Sequence, residues 1–312
     1  MNDGRKVSII GAGALGSYYA SKFAAVNQIQ ISFIAGGERY ERLTREGVTV
    51  NGHTYHPQVL RPEDSSAQDL IIVAVKHHHL DQAIEDIKNH VSSHTQVLSA
   101  MNGIDSEERL AQVFGWDRVL FGSALGIDAL RHDNEVTYTR EGVLYVGEAR
   151  YRPGSQRVER VFQLLDQAGI PIDVPEDMMR LLWWKFMINV GINQVSAVLR
   201  APYGVFQESR EARDLMFSAM SEVLALAKIQ DIDVREDDLD EWDSVLQGLS
   251  PQGQTSMCQD IVARRKTEVD MFAGKVVELG RTLGVNTPVN LCLWRFLKVM
   301  ENHSVNLCSF ET

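Results

Sequence analysis

The chain has 312 residues, about two domains at roughly 150 residues each, and its 44% hydrophobic and 23% charged residues are those of an ordinary folded protein. Its 31 lysines and arginines against 42 acids leave a formal charge of −11, which excludes the broad basic surface of a nucleic-acid binder but not a local anion site. Apolar runs recur along the whole length and exclude a disordered chain, and no uninterrupted run of about 18 apolar residues suggests a membrane span.

The N-terminal MNDGRKVSIIGAGALG passes from a short polar lead directly into a glycine-rich motif, without the long apolar stretch and cleavage site of a secretory signal. Short β-branched runs at Lys6–Ile10, Gln30–Ile34, Leu70–Val75 and Gln96–Ser99 each precede a turn and a helix-compatible stretch. That rhythm predicts a parallel sheet covered on both faces by helices. Further strands are expected at Val119–Ile127, Glu135–Thr139 and Val143–Val146 in a hairpin-like arrangement, then a helix over Ser155–Ala168 and a last strand at Ile170–Val174.

From Pro175 onward the pattern becomes helical, with helices expected over Met178–Leu199, Glu211–Lys228, Gln259–Leu283 and Asn290–Met300. Gly169, Pro171 and Pro175 punctuate the change, so a dinucleotide-binding domain is expected over 1–172 and a helical substrate domain over 173–312. The acidic run Glu236–Asp243 reads as a solvated helix start or loop. Cys258, Cys292 and Cys308 are odd in number and in no paired spacing, which fits a reducing cytoplasm.

Gly11-Ala12-Gly13-Ala14-Leu15-Gly16 is G-x-G-x-x-G between a strand and a helix, the context in which it binds a dinucleotide. Gly11 permits the tight turn, Gly13 lets a pyrophosphate approach the backbone, and Gly16 allows close helix–strand packing. The helix start offers its free N–H groups and positive dipole end to the phosphates. Beyond the second strand the chain reads Phe33-Ile34-Ala35-Gly36-Gly37-Glu38-Arg39, with no acid directly at the strand end. Arg39 and Arg42 suit the 2′-phosphate of NADP, whereas Glu38 suits the ribose hydroxyls of NAD if the loop folds back.

The segment Leu181–Asn193 is apolar almost all round and should be buried. Lys185, Asn189 and Asn193 nevertheless recur at i, i+4 and i+8, within about 80° on one helical face, and Ser196 returns close to the angle of Lys185. Polar groups in an apolar setting need partners, so the stripe points to a ligand cleft. The alternative is a lysine reaching solvent with asparagines bonded to neighbouring helices. His77-His78-His79 are read as loop histidines rather than metal ligands, because adjacent side chains diverge and no cysteine or acid cluster accompanies them. Asp105-Ser106-Glu107-Glu108 reads as a capped helix start with acids in its first turn.

On these residues the sequence resembles the ketopantoate reductase (2-dehydropantoate 2-reductase) family over nearly its whole length. The matching stretches are GAGALGSYYA, VAVK ending at Lys76, MNG at Asn102–Gly103, WWKFMINVGIN and SMCQDIVARRKTEVD. The resemblance implies a Rossmann-type α/β domain followed by an all-helical domain, with the active site in the cleft between them. It implies NADPH-dependent reduction of 2-dehydropantoate to pantoate, in pantothenate biosynthesis. Lys185 would be the catalytic lysine, and Asn189, Asn193 and Ser256 would hold the substrate. Glu268 would bind the substrate hydroxyl or assist proton movement and contact the cofactor. Asn102 would lie at the cofactor–substrate junction, and Lys76 near the cofactor with Gly11, Ala12, Gly13, Ala14, Leu15, Gly16 and Arg39.

The chain departs from the family pattern at two places. Gly36 stands where an arginine is common, and Met101 where a glutamine or histidine is frequent. Reduction of another 2-oxo acid on the same fold is therefore carried as an alternative, and a catalytically silent dinucleotide sensor as a third reading. A small-molecule substrate, no nucleic acid, no membrane, no metal and a homodimer complete the expectations. Ser256 and Glu268 are twelve positions apart, about 18 Å along a straight helix. Both reach one small substrate only if Ser256 precedes the helix or the chain bends between them.

Overall fold

The computed structural model describes residues 4–149 and 152–302, so Cys308 lies outside the described residues. The chain forms two compact units, Met1–Leu181 and Leu182–Thr312.

The first unit contains β1 (Arg5–Ile10), α1 (Ala14–Ala24), β2 (Ile29–Ile34), α2 (Gly37–Glu46), β3 (Val48–Val50), β4 (His53–Tyr55), β5 (Gln58–Leu60), β6 (Leu70–Val73) and α3 (Leu80–Ile87). It continues with β7 (Gln96–Ser99), α4 (Ser106–Phe114), β8 (Val119–Leu125), β9 (Leu130–His132), β10 (Glu135–Thr137), β11 (Val143–Gly147), α5 (Gln156–Gln167) and β12 (Ile172–Asp173). The main sheet runs β12-β11-β8-β7-β6-β1-β2-β5. It is parallel except where β11 pairs antiparallel with β8. This is the α/β architecture that the alternating pattern predicts.

Every residue of β6 and β7 is buried, as expected when helices cover both faces of a parallel sheet. The pleat sends Ile9 and Ile72 into one core with Tyr18, Tyr19 and Phe23 of α1 and Val161 and Leu165 of α5. It sends Ile10, Ile71 and Val73 into another with Leu80 and Ile84 of α3 and Leu110 and Phe114 of α4. β1 pairs with β2 on one side and β6 on the other, so the strand order reverses there. A crevice at the carboxyl ends of such strands is where open α/β sheets bind ligands.

A second sheet of order β4-β3-β10-β9 departs from the sequence expectation. The strand read at Glu135–Thr139 pairs there, parallel to β3 and antiparallel to β9, rather than with the flanking strands. Its β3–β4 hairpin turns at Asn51-Gly52, with φ of 47° and 78°. Asn-Gly is a strong short-range hairpin signal, which the sequence reading missed.

The second unit carries most of α6 (Met178–Ile188), followed by α7 (Gln194–Leu199), α8 (Tyr203–Glu208), α9 (Arg210–Ile229), α10 (Asp237–Gln247), α11 (Ser256–Val262), α12 (Lys275–Leu283) and α13 (Pro288–Asn302). The acidic run opens α10, but Asp238 is buried and its carboxylate accepts from the Arg235 N–H at 2.6 Å. Among the described residues no helix is long and apolar enough to cross a membrane.

Two expected helices are interrupted. Met178–Leu199 is one helical path, but Asn189–Asn193 widens into a π-turn. The helix expected over Gln259–Leu283 is broken outright. α11 ends at Val262, Arg264 takes a left-handed φ of 54°, and the Arg265 N–H returns to the Asp260 carbonyl at 2.8 Å. That six-to-one bond is a Schellman-type stop, here built on arginine instead of glycine. Thr267 is then held by the Glu301 carboxylate, through N–H at 2.7 Å and hydroxyl at 2.5 Å. A second π-turn, Asp270–Gly274, leads into α12.

Candidate functional site

In the first unit the β1–α1 turn, the start of α2 and the segment after β6 line one cavity of about 820 Å³. Its walls include Gly11, Ala12, Gly13, Gly36, Arg39 and Lys76. A Cβ at Gly11 would stand 2.4 Å from the Ala74 carbonyl oxygen, and one at Gly16 1.8 Å from the Gly11 carbonyl oxygen. The packing of the turn therefore requires both glycines. A Cβ at Gly13 would meet nothing nearer than the Ala74 oxygen at 4.0 Å. The protein's own packing does not require that glycine, so the open space beside it suits a close-approaching ligand. No side chain caps α1, whose first turn is Ala14, Leu15 and Gly16. Its first N–H groups are thus suited to receive an anion.

Lys76 ends the segment after β6 and is partly buried, and His77–His79 form a 3-10 turn behind it. Arg39 Nη2 lies 3.3 Å from His79 Nε2, which places that histidine on the cavity wall. His77 instead meets the Asp105 carboxylate at 3.2 Å, so Asp105 supplies no side-chain cap to α4. Arg42 also lines the cavity, and its Nε is buried without a hydrogen-bond partner among the described residues. Arg131, from β9, completes the cationic wall. Sequence reasoning missed it, since a three-residue strand with no motif around it carries no local signal. An open glycine turn, an uncapped helix start and an orphaned guanidinium nitrogen fit a phosphate-bearing dinucleotide.

Asn102 follows β7 and is partly buried, but is not among the residues lining the cavity. A chain of hydroxyls fixes the backbone beside it. Ser99 Oγ accepts from the Met101 N–H at 3.5 Å and meets Ser106 Oγ at 2.8 Å, and Ser106 Oγ donates to Glu107 at 2.9 Å. Glu107 is 1% exposed, and burial pushes its carboxyl up to about 7, against the opposing pull of its hydrogen bonds.

In the second unit, Lys185 lies near the end of α6 and is partly buried, one turn before Asn189. Asn189 and Asn193 open and close the π-turn, with Asn193 Nδ2 donating to Asn189 Oδ1 at 3.3 Å. The Asn193 carbonyl accepts from Ser196 Oγ at 3.1 Å, and Ser196 Oγ meets Thr255 Oγ1 at 2.6 Å. Thr255 caps α11 by accepting from the Cys258 N–H, which places Ser256 in the first turn. Ser196 is therefore a buried link, and it ties the asparagines to the neighbourhood of Ser256.

Glu268 is partly buried and its carbonyl accepts from the Phe272 N–H at 3.1 Å in the second π-turn. The break after Val262 removes the geometric conflict of a straight helix. The two π-turns pack against each other and are bridged by Gln194, which is fully buried. Its Nε2 donates to the Val190 carbonyl at 2.7 Å and to Asn290 Oδ1 at 3.1 Å, and its Oε1 accepts from the Ala273 N–H at 3.0 Å. Gln194 was missed, although the argument for a buried amide in an apolar helix applied to it as well.

Residues 7–151 match the family described as ketopantoate reductase PanE/ApbA, and residues 177–301 match its C-terminal counterpart. The 2-dehydropantoate 2-reductase of Pyrococcus horikoshii is 27% identical over 303 residues, spanning 95% of this chain and 98% of that protein. A 2-dehydropantoate 2-reductase from Geobacter metallireducens superposes with a TM-score of 0.83 at 26% identity, covering 94% of this chain and 99% of its own. A D-mandelate dehydrogenase, determined with NADH and anilino(oxo)acetate, superposes with a TM-score of 0.85 at 20% identity, covering 95% and 98%.

Proposed function

The chain belongs to the ketopantoate reductase family, and from that premise we propose that it reduces 2-dehydropantoate to pantoate with NADPH, as a cytoplasmic homodimer serving pantothenate synthesis. Under this reading, residues 1–172 hold the dinucleotide and residues 173–312 carry the substrate-binding and proton-donating groups. The observation that carries the reading is Lys185 one helical turn before an asparagine pair that is itself hydrogen-bonded inside a π-turn. π-turns inside helices recur at functional sites.

Gly11, Ala12, Gly13, Ala14, Leu15 and Gly16 would receive the pyrophosphate, with Arg39 and Arg42 at the 2′-phosphate and Lys76 and Asn102 also on the cofactor side. Held by these residues, a reduced nicotinamide would supply the hydride that the reduction of the substrate carbonyl requires. The ammonium of Lys185 stabilises the charge that develops on the carbonyl oxygen and protonates it. Asn189, Asn193 and Ser256 hold the carboxylate and hydroxyls so that the carbonyl is presented in one orientation. Glu268 binds the substrate hydroxyl or assists proton movement, and touches the cofactor.

Gly36 and Met101 favour a second reading, in which the same groups reduce a different 2-oxo acid. An assay of 2-dehydropantoate and other branched 2-oxo acids, with NADPH and NADH in parallel, separates the two. Lys185→Ala should abolish turnover while dinucleotide binding survives. Undiminished turnover in that variant would remove Lys185 from the proton-donor role.

A further inference from the structure

The cationic wall of the dinucleotide cavity is built differently from the pattern that the sequence resembles. Gly36, at the start of α2, contributes no side chain there. Arg131 comes from β9 of the smaller sheet, and its Nη1 donates to the carbonyl oxygen of Ala12, within the glycine turn. Its Nε donates to the Asp133 carbonyl at 2.8 Å, across a hairpin turn in which Asp133 takes a left-handed φ of 49°. Two of its nitrogens are thus anchored to backbone, and Nη2 has no hydrogen-bond partner among the described residues.

Arg39, Arg42 and Arg131 line the same cavity, and among the described residues none of them pairs with a carboxylate. Burial depresses the proton affinity of Arg131, and the charges of Arg42 and Arg39 depress it further. Like charges held together in a half-buried space are unfavourable until an anion joins them. A phosphate monoester, with charge near −2 and several acceptor oxygens, meets that requirement. The paired hydroxyls of an unphosphorylated ribose do not. Glu38, also on the wall, would serve those hydroxyls instead.

We propose that Arg131 is a 2′-phosphate-binding residue, supplied from the smaller sheet to the β1–α1 turn, that confers preference for NADPH over NADH. The proposal rests on the NADPH reading above and assigns the selectivity to a residue outside the second-strand region. It also gives the smaller sheet a role, because pairing β9 with β10 is what carries the guanidinium to Ala12.

The test is equilibrium binding by calorimetry, with NADPH, NADH, adenosine 2′,5′-bisphosphate and AMP as ligands. The wild-type protein should prefer NADPH to NADH and the bisphosphate to AMP. Arg131→Ala should weaken NADPH and the bisphosphate by about tenfold to a hundredfold, the range of a charge-assisted phosphate contact, and leave NADH and AMP within about threefold. Arg131→Lys keeps the charge but loses the planar fork, and should show a smaller loss in the same ratio. It keeps the test readable if the alanine variant fails to fold.

Equal weakening of all four ligands would reduce Arg131 to a brace for the glycine turn, and unchanged constants would remove it from the site. Either result, in a protein that still prefers NADPH, overturns the role of Arg131 alone. A wild-type preference for NADH overturns the NADPH reading together with it.

Discussion

Glu107→Gln tests the electrostatics of the first unit directly. The Glu107 carboxyl is fully buried, and its proton affinity rises from an ordinary value of 4.5 to about 7. A rise from 4.5 to about 7 corresponds to roughly 3 kcal/mol of coupling between protonation and folding. Because the folded protein binds this proton more tightly than the unfolded chain, the stabilisation is fully present below about pH 4.5. It declines as the pH rises and is lost above about pH 7. Glutamine keeps the shape and accepts from Ser106 but cannot ionise. Denaturant unfolding of both proteins from pH 4.5 to 8 should therefore show their stability difference moving by roughly 3 kcal/mol in favour of the variant. At the acid end the variant should be weaker by about 1 kcal/mol, because its amide protons need partners that the carboxylic acid did not. A difference independent of pH would refute the reasoning, since it would mean that Glu107 titrates alike in the folded and unfolded chains.

Two further outcomes follow from the geometry. Gln194→Ala strips the bridge between the π-turns and leaves the Val190 carbonyl and Ala273 N–H without their present partners, at about 1–3 kcal/mol for each buried group. Denaturant unfolding should show that loss, and under the proposed function kinetics should show a higher KM for the 2-oxo acid with unchanged NADPH binding; an unchanged KM would confine Gln194 to stability. Gly36→Arg has room, since a Cβ there meets only Pro62 at 3.4 Å and beyond, and the backbone φ is −115°. It should raise the NADPH-to-NADH affinity ratio by about tenfold, as one added charge-assisted contact would, and an unmoved ratio would place the 2′-phosphate away from the start of α2.

Local sequence determined what depends on neighbours along the chain. The run Val7–Ile10 followed by Gly11-Ala12-Gly13 sets strand, turn and helix in succession. The glycine positions record steric demands that act within a few residues or against the adjacent strand. The i, i+4, i+8 placement of Lys185, Asn189 and Asn193 needed only helical periodicity. The Asn51-Gly52 hairpin was not anticipated, although the left-handed turn it requires is local and Asn-Gly is its signal.

Tertiary structure decided the rest. A single π-turn shifts helical phase too little to appear in a hydrophobic pattern, and it holds here through Gln194, Asn290 and Ala273, which are distant in sequence. The stop after Val262 uses an arginine in a left-handed conformation, where propensity would look for glycine, and Glu301 from α13 secures the chain beyond it. Arg131 reaches Ala12 across 119 residues, and only the pairing of the smaller sheet brings them together. The sequence alone therefore named a dinucleotide turn and a polar helix stripe. Which cations surround that turn, and how the stripe is held, follow from long-range hydrogen bonds and packing that no local pattern encodes.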